Sequence, residues 1–411
     1  MNKKIVITGI GVISPIGIGK DIYWDNLVQG KKGFRTISLF DTSNFNVHIA
    51  GEINDFDPIT FLGKKDLRIL DRSTTLICSA AKLAIEDANL YISEDNTHST
   101  GVSIGTTFGS LHSISQFDRV SLIEGPKYVN PSHFPNTVIN SPASQVSIRF
   151  KIKGFNTTIS TGFCASLDAV SYAYDFINLG RAHIVLAGGV EELCEETFLT
   201  FYKLGYLSGT DGSEPLCCPF DARRNGFILS EGASVLVLED EEYALKRGAK
   251  ILAYVLGYGN SFDPESDSNF SHKGKGLINA INNALKSASL YPDDINYISA
   301  SANSAKGLDR METKVFKEVF GKQIYKIPIS SIKSMIGESY SASGALSLAA
   351  AVCSLQKGII PPTVNYLEKD SECDLDYVPN IAISKKINNI LLTASDFYGN
   401  NTAIVLGKYG G

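Results

Sequence analysis

Ser160-Thr161-Gly162-Phe163-Cys164-Ala165-Ser166 joins a run that reads as a buried strand, Phe155 to Ser160, to a helical pattern, Leu167 to Leu179, that stops at Gly180. A strand turning directly into a helix through small residues is the repeating step of a layered α/β fold. A thiol at such a junction would meet the positive end of the helix dipole and several backbone amides, which lower its pKa and favour the thiolate. Cys164 is therefore a possible nucleophile. A packed cysteine in a small-residue turn is the plainer alternative.

Working outward, the same alternation recurs on both sides. Upstream lie a β-branched strand at Lys4 to Thr8, a long helical pattern from Asp66 to Leu90, an apolar strand at Val102 to Thr107, and a short helix at Ser141 to Ile148. Downstream come strands at His183 to Gly188 and Ser234 to Glu239, which close a first half. The second half repeats the theme with strands at 251–257, 295–300, 389–394 and 403–407 and helices at 273–288, 311–320 and 344–356. Strand and helix alternate with ordinary connection lengths, so mostly parallel central sheets and an internal duplication are expected, with halves at 1–252 and 253–411. The loop Gly9-Ile10-Gly11 resembles a dinucleotide fingerprint only superficially, because Pro15 interrupts the helix start and no acidic residue ends a following strand.

Composition narrows the classes. With 411 residues, 44% hydrophobic and 20% charged, the chain can bury two substantial cores. A formal charge of -5 leaves no basic footprint for nucleic acid. The seven cysteines show no metal-ligand spacing, and reduced thiols in a cytoplasm are expected. No run approaches the roughly 20 apolar residues of a membrane span, and no signal peptide or membrane anchor is read. Neither a metal site nor a cofactor is expected. Of the six histidines, His48, His98, His133 and His272 read as solvated, His183 as structural, and His112 as able to face a partner.

The opening Ile5 to Pro15, the Cys164 turn, Ala187-Gly188-Gly189, Pro219-Phe220-Asp221 through Glu231-Gly232-Ala233, Ser331 to Gly337, Pro361 to Asn365 and Cys373 to Pro379 together resemble the β-ketoacyl-[acyl carrier protein] synthases. The resemblance is to the ketoacyl synthase II type and the related type II polyketide ketosynthases, over essentially the whole chain. It implies an α/β thiolase-like fold, two duplicated halves in a five-layer αβαβα arrangement, and a dimer with each active site near the interface. It also implies a carrier-protein partner whose phosphopantetheine-linked acyl chain is passed to a cysteine. Two histidines of such enzymes then assist decarboxylation of a malonyl unit, and the enolate needs positioned donors.

Two departures stand out. Ser299-Ala300-Ser301-Ala302-Asn303 puts Ser301 at the first histidine, and Lys333-Ser334-Met335-Ile336-Gly337-Glu338 puts Glu338 at the second. No histidine lies beyond His272, and an ionised carboxylate would repel an enolate. Lys333 and Glu312 fall at the positions of a supporting charge pair, whose alternative is a merely structural ion pair. Phe397-Tyr398-Gly399-Asn400-Asn401-Thr402 matches a gating loop, with Tyr398 in the aromatic place and Phe397 replacing a glycine. Phe108 falls at the pocket floor and is a natural ruler of chain length, or else plain core; Phe163 completes the substrate-facing set.

The resemblance thus implies a chain-length-factor-like subunit, paired as a heterodimer with a full ketosynthase homologue. The alternative is an acyltransferase or thioesterase-like enzyme using Cys164 without decarboxylation, with Ser301 or Glu338 as base. An autonomous homodimeric synthase is a third reading. Basic clusters at Lys64, Lys65 and Arg68, or at Arg223 and Arg224, are the candidates for docking an acidic carrier protein.

Overall fold

The computed structural model describes residues 3–265 and 274–410. In chain order the elements that build the site are β1 (Ile5–Ser14), α1 (Arg72–Asp87), β2 (Thr100–Gly105), α2 (Leu111–Ile123), β3 (Asn156–Ile159), α3 (Ala165–Asn178), β4 (Ile184–Glu191) and β5 (Gly232–Asp240). The second half supplies β6 (Ala253–Phe262), α4 (Lys275–Ser287), β7 (Tyr297–Ser299), α5 (Lys306–Phe320), β8 (Ile329–Ser330), α6 (Ser343–Lys357), β9 (Asn389–Ser395) and β10 (Asn400–Lys408). His272 lies outside the described residues.

The strands follow one path, β8-β7-β9-β10-β6-β1-β5-β4-β2-β3, with the short strand Gly17–Ile18 added beside β1. Reading outward from the central β1·β6 pair, each half has two antiparallel pairings and then two parallel ones. That repeated order is the structural form of the duplication. The mostly parallel sheet expected from the alternation is corrected to a mixed one. In the second half, β9 and β10 are joined by only four residues, and a tight turn can connect only antiparallel neighbours.

Five layers result. Helix α1 covers the outer face of the first half-sheet and α4 that of the second, while α3 and α6 lie between, touching strands of both halves. Nearly every residue of α6 is buried, as a helix enclosed on all sides requires. The glycines of Gly9-Ile10-Gly11 are part of β1 and serve packing: a Cβ on Gly11 would stand 1.9 Å from the Ala80 carbonyl oxygen of α1. No phosphate-binding loop is formed there. The run before the Cys164 turn is also less buried than expected, because β3 is the outermost strand of its half and keeps one side open. Among the described residues, no helix is long and apolar enough to cross a membrane.

Candidate active site

The turn after β3 is a single 3-10 turn, Gly162–Cys164, that runs directly into α3. Gly162 has φ +61, and a Cβ there would stand 1.9 Å from Oδ2 of Asp396, so only glycine allows the loop after β9 to close on the turn. Consecutive side chains of so tight a turn diverge. Phe163 enters an aromatic cluster, at 4.5 Å from Tyr340, 5.5 Å from Phe397 and 6.4 Å from Phe227 between ring centroids. Cys164 instead joins the packed layer containing Leu167, Val170 and Ala345, and its Sγ–H donates to the Asn400 carbonyl at 3.4 Å.

The expectation of a stabilised thiolate is therefore corrected. Cys164 is fully buried, and burial first, then Asp168 and Asp396, pushes its thiol well above the ordinary range; Lys333 opposes this only as a lesser influence. The Phe163 and Cys164 amides are also occupied. The Cys164 N–H donates to Thr161 O at 3.2 Å and the Phe163 N–H to Asp396 Oδ2 at 3.2 Å. A helix N-terminus activates a thiol only where solvent or a ligand can reach both, and here the turn is closed.

Glu338 is fully buried and fully satisfied. Lys333 Nζ donates to its Oε2 at 2.7 Å and Asn303 Nδ2 to the same oxygen at 2.9 Å; Oε1 accepts the Tyr340 N–H at 3.0 Å and the Ser343 hydroxyl. Lys333 Nζ also lies 5.6 Å from the centroid of the Phe163 ring, a cation–π distance. This explains the polar Ser339 to Ser343 segment, which supplies hydroxyls and an amide to a buried carboxylate and its surroundings.

The expected Lys333–Glu312 pairing is not the one formed, since the ion pair of Lys333 is with Glu338. Glu312 accepts the Ser301 and Ala302 N–H groups at 2.9 and 2.7 Å and the Thr393 hydroxyl at 2.6 Å. Burial lifts its carboxyl to about 7. It fixes the backbone that carries Ser301, whose Oγ accepts the Ser395 N–H at 3.4 Å.

In the loop after β9, Phe397 is 6% exposed and packs against Phe163, whereas Tyr398 is 67% exposed. The aromatic place expected for Tyr398 thus belongs to Phe397, because Asp396 turns the chain by accepting the Tyr398 N–H at 2.7 Å and leaves the Tyr398 ring outside. Asp396 is itself buried, and that burial lifts its carboxyl to about 6. Sequence reasoning missed Asp396, Asn303 and Tyr340. Asp396 had a signal, a lone acid between the apolar run Ile390 to Ala394 and Phe397. Phe108 is half-buried and stacked on Tyr340.

The remaining expectations sort by exposure. Lys64, Lys65 and Arg68 are exposed, while Arg223 is bound to Asp221 and Arg224 to Asp370 and Asp309. His112 opens α2 with Nδ1 at 3.2 Å from Glu196 Oε2. His48, His98 and His133 are exposed, and His183 stacks on Tyr243.

Comparison with known proteins gives a consistent picture. Residues 2–244 match the model for the β-ketoacyl synthase N-terminal domain, and residues 252–367 that for its C-terminal domain. The chain is 38% identical to the tetracenomycin polyketide synthase ketoacyl synthase alpha subunit of Streptomyces glaucescens, covering 99% of this chain and 97% of that one. It is 34% identical to the 3-oxoacyl-[acyl-carrier-protein] synthase 2 of Coxiella burnetii, with 99% of each covered. A structure described as the ishigamide ketosynthase/chain length factor superposes with a TM-score of 0.92 at 33% identity over 100% of both chains. A type II polyketide synthase acyl-carrier protein in complex with its ketosynthase gives 0.91 at 31% identity, over 99% of this chain and 100% of that one.

Proposed function

The chain belongs to the β-ketoacyl synthase family, and on that premise we propose that it is the non-condensing, chain-length-factor-like subunit of a type II polyketide or fatty acid ketosynthase. In this reading a homologue bearing the cysteine and both histidines performs the decarboxylative Claisen condensation on acyl carrier protein. This chain completes the walls of the acyl pocket. The observation that carries the reading is the Phe163 ring, which fronts Lys333 while the neighbouring Cys164 thiol faces away into the packed layer.

The chemistry agrees. Condensation needs a thiolate, donors for an enolate oxygen and room for two acyl groups. Here burial disfavours the thiolate, the Phe163 and Cys164 amides are taken, and the resemblance puts Ser301 and Glu338 where imidazoles would donate. Loss of even one such donor typically costs about 100-fold to 1,000-fold.

Surface features support a partner. No residue of α2 is buried, and Leu122, Ile123, Tyr128, Phe134, Ile139 and Ile148 are all exposed in segments that pack on one another. Exposed apolar side chains gathered in neighbouring segments are a feature of protein interfaces. For the carrier protein, Lys64, Lys65 and Arg68 are the available basic cluster, because Arg223 and Arg224 are committed to internal carboxylates.

The test is intact-mass analysis after incubation with acyl carrier protein, alone and with a co-expressed ketosynthase carrying the full residue set. We expect no adduct on this chain, and elongation by the complex that is the same with Cys164→Ala. An acyl group that appears on the chain alone and vanishes in Cys164→Ala would replace this reading with acyl transfer through Cys164.

A further inference from the structure

Helix α2 is held to the rest of the molecule by its N-terminal end. None of its residues is buried, and a groove of about 380 Å³ runs between Arg68, Leu70 and Asp71 on the body and Ser113, Gln116 and Phe117 on the helix. Apolar packing therefore does not seat it. Two glycines in the left-handed region bracket the helix, Gly109 at φ +59 and Gly125 at φ +107, and a Cβ on Gly125 would meet nothing within 4 Å. Its polar ties to the body lie within its first five residues and end on acidic groups. The His112 N–H donates to Glu192 Oε1 at 3.3 Å, His112 Nδ1 lies 3.2 Å from Glu196 Oε2, and the Ser113 hydroxyl donates to Asp71 Oδ2 at 3.2 Å. Ser115 also bonds Glu196.

Glu192 is the member of this set that takes the helix backbone. Ser110 stands at the N-cap, but its buried hydroxyl makes no capping bond and has no partner among the described residues. Glu192, 5% exposed just after β4, supplies an acceptor in its place, and its other oxygen takes the Ser73 N–H of α1 at 3.0 Å. One carboxyl group thus joins the first turns of two helices.

The charges facing it are mostly negative. Asp71 and Glu191 lie on either side, and Glu195 and Glu196 open the next helix, Glu195–Lys203. Arg72 shares a cavity of about 100 Å³ with Glu192, His112, Cys194 and Glu195, but its guanidinium is bound to Glu231. Burial first, then Asp71, lifts the Glu192 carboxyl to about 8 against the pull of the two amides. The seated helix therefore favours a protonated Glu192, whereas a lifted helix would return it to water and to ordinary carboxylate behaviour.

We propose that α2 is a strap latched by Glu192: the carboxyl group holds a proton while the strap is seated and gives it up to solvent as the strap lifts about Gly109 and Gly125, so that pH sets how firmly Leu122 and Ile123 are presented to a partner. The partner clause rests on the chain-length-factor-like reading. Because the seated state binds the proton more tightly, its advantage is complete below about 4.5 and is lost as pH rises through about 8. His112 carries charge only when protonated, so its contact with Glu196 acts in the same direction.

The experiment is hydrogen–deuterium exchange with mass spectrometry on the full chain from about pH 6 to about pH 8, with rates corrected for the intrinsic pH dependence of exchange. Protection of residues 111–123 is expected to fall by up to about tenfold per pH unit, the limit for one proton, while β1 and β5 hold theirs. Glu192→Gln keeps an acceptor and cannot titrate, and should flatten that slope; His112→Gln should retain most of it. A wild-type α2 without a slope, or a Glu192→Gln protein that keeps the wild-type slope, overturns the latch. If Glu192→Gln does not fold, Glu192→Ala is held to the same criterion, and the wild-type measurement needs no variant. Association with a co-expressed ketosynthase bearing the cysteine and both histidines should weaken in step over the same range. Association that ignores pH while the strap lifts overturns the link to the partner. No association at any pH overturns the subunit reading, and the exchange data still decide the latch.

Discussion

Glu312 and Glu338 are both fully buried carboxylates of the second half, and they are held by different partners. Glu312 takes two backbone amides and one hydroxyl, all neutral, and ties α5 to β9 and to the turn that carries Ser301. Glu338 takes a lysine, an asparagine amide, a hydroxyl and one backbone amide, and occupies the centre of the site. The first is a framework device whose loss would unmake the loop geometry. The second is a buried charge held by Lys333 at the position that the resemblance assigns to an imidazole. Packing and backbone satisfaction constrain the frame regardless of chemistry, whereas in the proposed function the centre is free to change because a partner carries out the condensation.

Removing one member of the central pair should have the largest effect on stability. Lys333→Ala leaves Glu338 buried without its cation and is expected to cost about 3–5 kcal/mol in chemical denaturation. Replacing Lys333 and Glu338 together by apolar residues of similar volume should cost much less, because neither charge is then stranded. Equal losses for single and double variants would show that the pair is not the unit holding the centre.

Glu312→Gln is expected to cost less, about 1–3 kcal/mol, because the amide keeps one acceptor and sets a donor against donors. It should also change the pH profile. Glu312 rises from 4.5 to about 7 on folding, so the folded state holds its proton more tightly than the unfolded chain. Its contribution is present below about 4.5 and is lost as pH rises towards about 7. Glu191, lifted to about 7, and Glu192, lifted to about 8, act with the same sign. The wild-type melting temperature should therefore fall across that window, and Glu312→Gln should flatten the slope; an unaltered slope would remove Glu312 from the account.

The smallest stability change, about 1 kcal/mol, is expected for Asp396→Asn, which keeps one acceptor for the Phe163 or Tyr398 amide. Its clearer signature is kinetic. The Asp396 contact closes the β9–β10 loop over the turn, and Asn400 O receives the Cys164 thiol, so loosening it should speed alkylation of Cys164 in the folded protein. An unchanged rate would mean that the thiol is shut in by the helix layer instead of the loop.

Much of the frame was legible in the residues. The strand-turn-helix at Ser160 to Leu167, the repeated alternation and the apolar runs at Val102, Ile184 and Leu391 specify the layers, because periodicity and small-residue turns act locally. The mixed strand directions were less legible, since pairing partners lie far apart in the chain. In the site, position alone singled out Ser301 and Glu338. The partner of Lys333 and the choice between Phe397 and Tyr398 depend on where a turn aims a side chain, and the residue string does not encode that direction.

The chain's own order of residues determined the family, the duplicated α/β plan and the absence of histidine beyond His272. Only the folded arrangement decided that Phe163 faces the Lys333–Glu338 pair while Cys164 faces the packed layer. Neighbouring residues in a 3-10 turn point apart, and which one reaches the site is set by Gly162, Asp396 and Asn400, brought together from segments more than 200 residues apart.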